Sequence, residues 1–102
     1  MTNEFSSEII SNDIKIVKVK KQFIPILTLF EVTTLISVRT TQLENDAPPC
    51  VDYSINDKPK NIAIRELEEK KIPFNIKRKF GNYVEIWKID ELELNTDLIP
   101  YD

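Results

Sequence analysis

The chain has 102 residues, 41% hydrophobic and 30% charged, with a formal net charge of −3 and an isoelectric point near 5.0. This is the size and composition of one small globular domain, and it excludes a global basic field for holding nucleic acid. With no His, one Gly and the single cysteine Cys50, it also excludes His-based acid–base catalysis, Ser-His triads, most zinc sites, a Gly-rich phosphate loop and an intrachain disulfide.

The first residues, MTNEFSSEIISND, are acidic and polar, unlike a secretory signal or an Arg-rich transit peptide. There is no apolar run of about 18 residues or more to cross a membrane. An intracellular chain with no membrane partner is expected. Residues 1–12 read as a frayed, peripheral terminus in which Phe5, Ile9 and Ile10 are the residues that could dock. Ile14–Phe23, IKIVKVKKQF, alternates imperfectly and predicts a strand, with Lys15, Lys18, Lys20 and Lys21 suited to an exposed edge. A basic contact to phosphate is the alternative for those lysines.

Leu27–Pro48 predicts the first helix. Thr28 and Glu31 have the spacing of a capping box, and Leu27 and Val32 that of a hydrophobic staple. Leu29, Val32, Leu35, Ile36 and Leu43 recur at helical spacing. Asn45, Asp46 and Pro48-Pro49 end the helix. Arg39 falls between Val32 and Leu35 at about 100° per residue, inside the apolar stripe, so it needs a partner or lies at an interface.

In the loop over residues 45–56, Cys50 reads as a small buried hydrophobe and not as a nucleophile, since no His can activate it. A second helix is predicted from Pro59, the favoured first position. It carries Ile62, Ala63, Ile64 and Leu67, has Lys70 and Lys71 near its end, and stops before Pro73. Glu68 and Glu69 read as a solvated face. Glu66 lies between Ile62 and Ala63 on the helical wheel. Two partners are open to Arg39: Glu66 across the helix pair, or a group on another chain.

Phe74, Ile76 and Phe80 alternate with Asn75, Lys77 and Lys79, which predicts a strand. Gly81-Asn82 suits a type II′ hairpin turn, and Tyr83–Ile89 returns with Tyr83, Glu85, Trp87 and Ile89 on one face. Phe74, Phe80 and Trp87 are expected against the helices, although aromatics on a basic hairpin can also stack bases. Leu92, Leu94, Leu98 and Ile99 form an apolar tail, either a surface strand or a docking segment. The predicted class is α+β: two helices packed against a C-terminal β-hairpin, with an N-terminal strand. No catalytic constellation emerges.

Several short motifs stand in a fixed order. Thr28-Leu29-Phe30-Glu31 is similar to a T-K-Y-E motif. Ser37-Val38-Arg39-Thr40-Thr41-Gln42 matches G-T-R-A-L-Q at Arg39 and Gln42, and Ala47-Pro48 follows. Pro59, Ile62-Ala63, Glu66-Leu67 and Lys71-Ile72-Pro73 match a second helix with D-P, I-A, E-L and K-I-P. Arg78, Glu85, Trp87 and Asp90-Glu91-Leu92 match a basic hairpin with E-x-W and D-E-L. Together, from Leu27 onward, they resemble a family of small RNA polymerase subunits: bacterial omega, the archaeal K subunit and the sixth eukaryotic subunit. The departures are Ser37 for a Gly, Lys58 for the Asp before Pro59 (leaving Asp57 to cap) and a shorter hairpin turn. With the Lys, Asn and Ile bias of an AT-rich genome, they point to a divergent copy, such as one from a large DNA virus.

The resemblance implies a non-catalytic subunit of a multisubunit DNA-dependent RNA polymerase, without cofactor or metal, that promotes assembly and stability of the largest, β′-like subunit near the clamp base. DNA would be met only through the complex. Residues 1–24 would be an extension with a strand, its first dozen residues dispensable for incorporation, and residues 25–102 the subunit domain. The partner-binding residues it implies are Thr28, Phe30, Glu31, Arg39, Gln42, Ala47, Pro48, Pro59, Ile62, Ala63, Glu66, Arg78, Glu85 and Trp87. The location would be the nucleus, or the cytoplasm and virion for a viral copy. The alternative is a stand-alone nucleic-acid-binding module using the lysine-rich strand and the aromatic hairpin.

Overall fold

The first helix, α1 (Leu29–Glu44), starts at the capping box. Thr28 is extended, its hydroxyl accepts from the Glu31 amide at 3.2 Å, and the Glu31 carboxylate accepts from the Thr28 amide at 2.9 Å. Two orphan donors of the first turn are thereby satisfied. Leu27 and Val32 are both buried, as the staple requires. These coordinates come from a computed structural model, which describes residues 5–12 and 23–101. The strand expected over Ile14–Phe23 lies, apart from Phe23, outside the described residues.

Val32, Leu35, Ile36 and Arg39 form the buried stripe of α1. Leu29 does not join it and is 56% exposed. It sits at the edge of the stripe in the first turn, where the incoming Leu27 occupies the place in the core. Helix α2 (Pro59–Glu68) has Pro59 in its first turn and buries Ile62, Ala63, Ile64, Glu66 and Leu67. Lys58 stands at its N-cap without a side-chain cap. Asp57, expected to cap, instead accepts from the Ser54 amide at 2.8 Å and pairs with Arg65 at 3.3 Å.

Both helices end in the same way. After α1 the Asp46 amide bonds to the Leu43 carbonyl and Ala47 to Gln42; after α2, Lys70 bonds to Leu67 and Lys71 to Glu66. This is the Schellman pattern, which needs a left-handed residue that is usually Gly. The only Gly is used elsewhere, so Asp46 (φ 69°) and Lys70 (φ 60°) take that conformation. Gly81 (φ 59°) is the first residue of the two-residue hairpin turn, where type II′ geometry demands a positive φ.

Strands β1 (Phe5–Ser11), β2 (Phe74–Phe80) and β3 (Tyr83–Lys88) form an antiparallel sheet in the order β1-β2-β3. Ile9 stands opposite Ile76, and Ile76 opposite Trp87. The frayed terminus expected for residues 1–12 is therefore corrected for Phe5–Ser11. Short and polar by sequence, this segment is held by a ladder to β2 and by Ile9, which packs on the core. Its strand character comes from tertiary pairing that local composition does not reveal.

The helices lie over one face of the sheet. Alternation and register put Phe74, Ile76, Arg78 and Phe80 with Tyr83, Glu85 and Trp87 on that inner face. Leu35, Ile36, Ala63, Leu67, Ile76 and Trp87 meet in one cluster. The C-terminal tail docks onto the same cluster through Leu92 and Ile99. Its backbone also pairs with the segment before α1: Leu27 N donates to the Glu93 carbonyl at 2.9 Å, and Glu93 N to that of Pro25 at 2.8 Å. Among the described residues no helix is long and apolar enough to cross a membrane.

Candidate partner-binding surface

The residues singled out from the sequence divide sharply by burial. Arg39 is 3% exposed and Glu66 fully buried. Arg39 Nε donates to Glu66 Oε1 at 2.6 Å and Nη2 to Oε2 at 3.0 Å; Nη1 donates to Gln42 Oε1 at 3.0 Å and Nη2 also to the Pro48 carbonyl at 2.9 Å. Glu66 accepts a further bond from the Cys50 amide at 2.8 Å. One ion pair thus ties α1, the loop after it and α2 together. Cys50 itself is exposed, which corrects the expectation of a buried thiol. Its backbone is anchored on Glu66, and the next residue, Val51, turns inward instead.

A second buried pair was not foreseen. Arg78, read from the sequence as a basic hairpin residue, is 2% exposed and lies under α1. It forks onto Glu31, Nε to Oε2 at 2.9 Å and Nη2 to Oε1 at 2.8 Å. Two further donors reach the carbonyls of Ile24 and Ile26, each at 2.7 Å, and its guanidinium lies 5.3 Å from the Trp87 ring centroid. Burial pushes the Glu31 carboxyl up, but the Arg78 hydrogen bonds and the Thr28 amide outweigh it and hold the group below its ordinary value. The same carboxylate serves the helix cap and the ion pair.

Glu85 is also fully buried. It accepts from the Tyr83 hydroxyl at 2.6 Å, from Trp87 Nε1 at 2.9 Å and from the Phe23 amide at 3.4 Å. The bond to Glu85 raises the Tyr83 phenol above its ordinary value. E-x-W spacing puts both side chains on one strand face, and this is the signal that could have revealed the bond.

The other sequence candidates fall in with these. Thr28 is the cap of α1, and Pro59 opens α2. Ile62 and Ala63 are core residues. The Ala47 amide closes the end of α1 on Gln42. Phe30 faces water, at 58% exposure, and Pro48 is exposed as well. Phe30 joins an apolar collar around the start of α1 that motif matching passed over: Ile24 (71% exposed), Ile26 and Leu29. Beside the collar is a groove of about 430 Å³, walled by Phe5, Phe23, Ile24, Ile26, Leu27 and the Arg78 side chain. The run Ile24-Pro25-Ile26, directly before a helix cap, was the available clue. Contiguous exposed apolar surface of this kind marks an interaction site. Among the described residues no group of His, Cys, Asp or Glu could hold a metal ion.

The family described as RNA polymerase Rpb6 matches this chain over residues 24–74, a span that opens at the collar and includes Glu31, Arg39 and Glu66. The chain belongs to the RNA polymerase Rpb6 family. The segment matched to Rpb6 covers both helices and the loop between them, and ends at the first residue of β2.

The chain is 37% identical over 70 residues to subunit RPABC2 of DNA-directed RNA polymerases I, II, and III of Saccharomyces cerevisiae, covering 67% of this chain and 44% of that protein. It is 34% identical over 67 residues to subunit 6B of DNA-directed RNA polymerases II and V of Arabidopsis thaliana, covering 65% and 46%. With the Schizosaccharomyces pombe RPABC2 it shares 36% over 70 residues, covering 67% and 49%. This Rpb6-family chain spans about half the length of the curated relatives it matches.

Proposed function

We propose that this chain is a non-catalytic small subunit of a multisubunit DNA-dependent RNA polymerase, and that it aids assembly and stability of the largest, β′-like subunit near the base of the clamp. The relatives are named as subunits of such polymerases. The observation that carries the reading is the apolar collar of Ile24, Ile26, Leu29 and Phe30. It lies at the start of the Rpb6-matched segment, beside an open groove and unsatisfied by the chain's own core. The buried ion pairs support the reading indirectly: they stiffen the two helices that present the collar. Residues 25–102 would form the subunit domain, with the extension 1–24 supplying β1 to its sheet and Ile24 to the collar. DNA would be reached through the complex, without cofactor or membrane. The site of action would be inside the cell: the nucleus, or the cytoplasm and virion for a viral copy.

Co-expression with the largest polymerase subunit of the same source tests this. The full chain should co-purify with it, and Phe30→Asp with Ile24→Asp should abolish co-purification while leaving the circular dichroism spectrum intact. Recovery of the full chain free of any polymerase subunit would overturn the reading. The alternative nucleic-acid module loses part of its basis, because Trp87 is buried and bonded to Glu85, whereas Phe80, expected against the helices, is 46% exposed at the end of its strand.

A further inference from the structure

The outer face of the sheet carries a different chemistry from the rest of this acidic chain. Register puts three rows of residues there: Ser6, Lys79 and Val84; Glu8, Lys77 and Ile86; Ile10, Asn75 and Lys88. Lys79 and Lys88 are exposed and Lys77 half-exposed. Glu8, 3.5 Å from Lys77, is the one acid in these rows.

At its Asn75–Lys88 end the face runs into a cleft of about 460 Å³, which Lys70 and Asn12 also line, with Asp90 at its rim. Lys70 is set there by its left-handed backbone and by a hydrogen bond from its ammonium to the Leu92 carbonyl. Along central strand β2, at about 3.4 Å per residue, Lys79 and Lys77 lie about 7 Å apart on a line toward this cleft, and beyond them Asn75 is buried beside its register partner Lys88.

We propose that the outer sheet face and the cleft at its end form a sequence-independent track for the phosphate backbone of a single nucleic-acid strand. Its cations are all lysines, compact point charges suited to phosphate; there is no arginine fork of the kind that selects carboxylates bidentately. No aromatic side chain stands in the three rows, and Phe74 is the one aromatic that lines the cleft, so bases cannot stack along the rows and sequence is not read there. Val84, Ile86 and Ile10 leave room only for apolar contact with sugars between the charges. The three rows lie on the opposite side of the sheet from the helices, and the cleft at their end is lined by Lys70 and Ile72 just after α2; neither includes a collar residue, so the inference does not depend on the collar or on incorporation into a polymerase.

The full chain and a labelled oligothymidylate of about 20 nucleotides, followed by fluorescence anisotropy between about 50 and 200 mM salt, provide the test. Contacts from Lys70, Lys77, Lys79 and Lys88 give an expected slope of log affinity against log salt of about −3, at roughly −0.7 per phosphate. Replacing Lys77, Lys79 and Lys88 together by Gln should reduce that slope by about 2 units and weaken binding about tenfold or more at the lower salt. All three are outside the core, and circular dichroism checks the fold. Lys58→Gln with Lys60→Gln, at the start of α2, should change neither quantity. Equal slopes for the two variants, or no binding at the lower salt, would reject the track. Tighter binding of poly-L-glutamate with the same lysine dependence would reassign the face to an acidic polypeptide.

Discussion

Arg39 of the first helix and Glu66 of the second face each other as a two-pronged fork, with Nε to Oε1 at 2.6 Å and Nη2 to Oε2 at 3.0 Å. Both side chains are shut off from water, and two further guanidinium donors are taken up by Gln42 and Pro48. Of the two partners open to Arg39 in the sequence, the intrachain one is realised. Removing one member of such a pair leaves the other charged and unpaired, which typically costs about 3–5 kcal/mol, whereas an apolar replacement of both is often tolerated. Glu66→Gln should therefore lower unfolding stability in urea by at least about 2 kcal/mol, and Arg39→Met with Glu66→Leu should recover much of it. A double variant as unstable as the single one would contradict this.

Glu31 gives stability a pH dependence of definite sign. Its carboxyl ordinarily titrates near 4.5 and is held lower in the fold. The unfolded chain therefore binds the proton more readily, and stability falls as pH drops through the interval below that value. Above it the contribution of Glu31 is fully present. Urea midpoints measured from about pH 6 down to 3 should fall less steeply in Glu31→Gln than in the unaltered chain. Parallel curves would show that another carboxylate governs acid sensitivity.

Deletion of residues 1–12 should be costly to the fold. It removes the β1 ladder, the packing of Ile9 on the core and the Ser7 hydrogen bond to Glu31. Loss of the partly buried Ile9 side chain alone costs about 1–1.5 kcal/mol, the ladder adds to it, and each kcal/mol moves the melting temperature of a domain this small by about 4–8 °C. A drop of about 10 °C or more is expected in a thermal melt. An unchanged midpoint would return these residues to the status of a loose terminus.

Asp46 bears a backbone conformation that is disfavoured for any residue with a Cβ, at φ 69°. Asp tolerates it better than most, and Gly best of all. Asp46→Gly should raise stability by about 0.5–1 kcal/mol, and Asp46→Val should lower it by about 1 kcal/mol or more. Denaturant titration of the pair should give changes of opposite sign.

The elements governed by local rules were legible in the sequence. The capping box at Thr28 and Glu31, the start of α2 at Pro59 and the turn at Gly81-Asn82 each depend on a few adjacent residues, and all three stand where the spacing put them. Arg39 in an apolar stripe signalled burial, and Glu66 on the facing helix offered the complement. What stayed hidden depends on neighbours far along the chain. Phe5–Ser11 is a strand because β2 lies beside it, and Arg78 is a core residue because Glu31 waits under α1. Cys50, expected inside, stands outside and its neighbour Val51 is buried, because an amide hydrogen bond to Glu66 sets the turn. The resemblance marked Glu31, Arg39, Glu66, Arg78, Glu85 and Trp87 as important, but spacing alone could not tell intrachain contacts from contacts to another protein. The collar was missed because it belongs to no motif.

The bond between Arg78 and Glu31 spans 47 positions of sequence, and that distance has a consequence during synthesis. A ribosome adding about 5–20 residues per second needs several seconds to travel from one to the other. Until Arg78 emerges, the first helix has its cap but no cation for its carboxylate, and its apolar side faces water. The nascent chain therefore passes through an interval in which it is a target for chaperones, and the interval closes only when the hairpin has left the exit tunnel. Slow codons placed between the two helices and the hairpin would lengthen that exposure without altering a single residue of the finished protein.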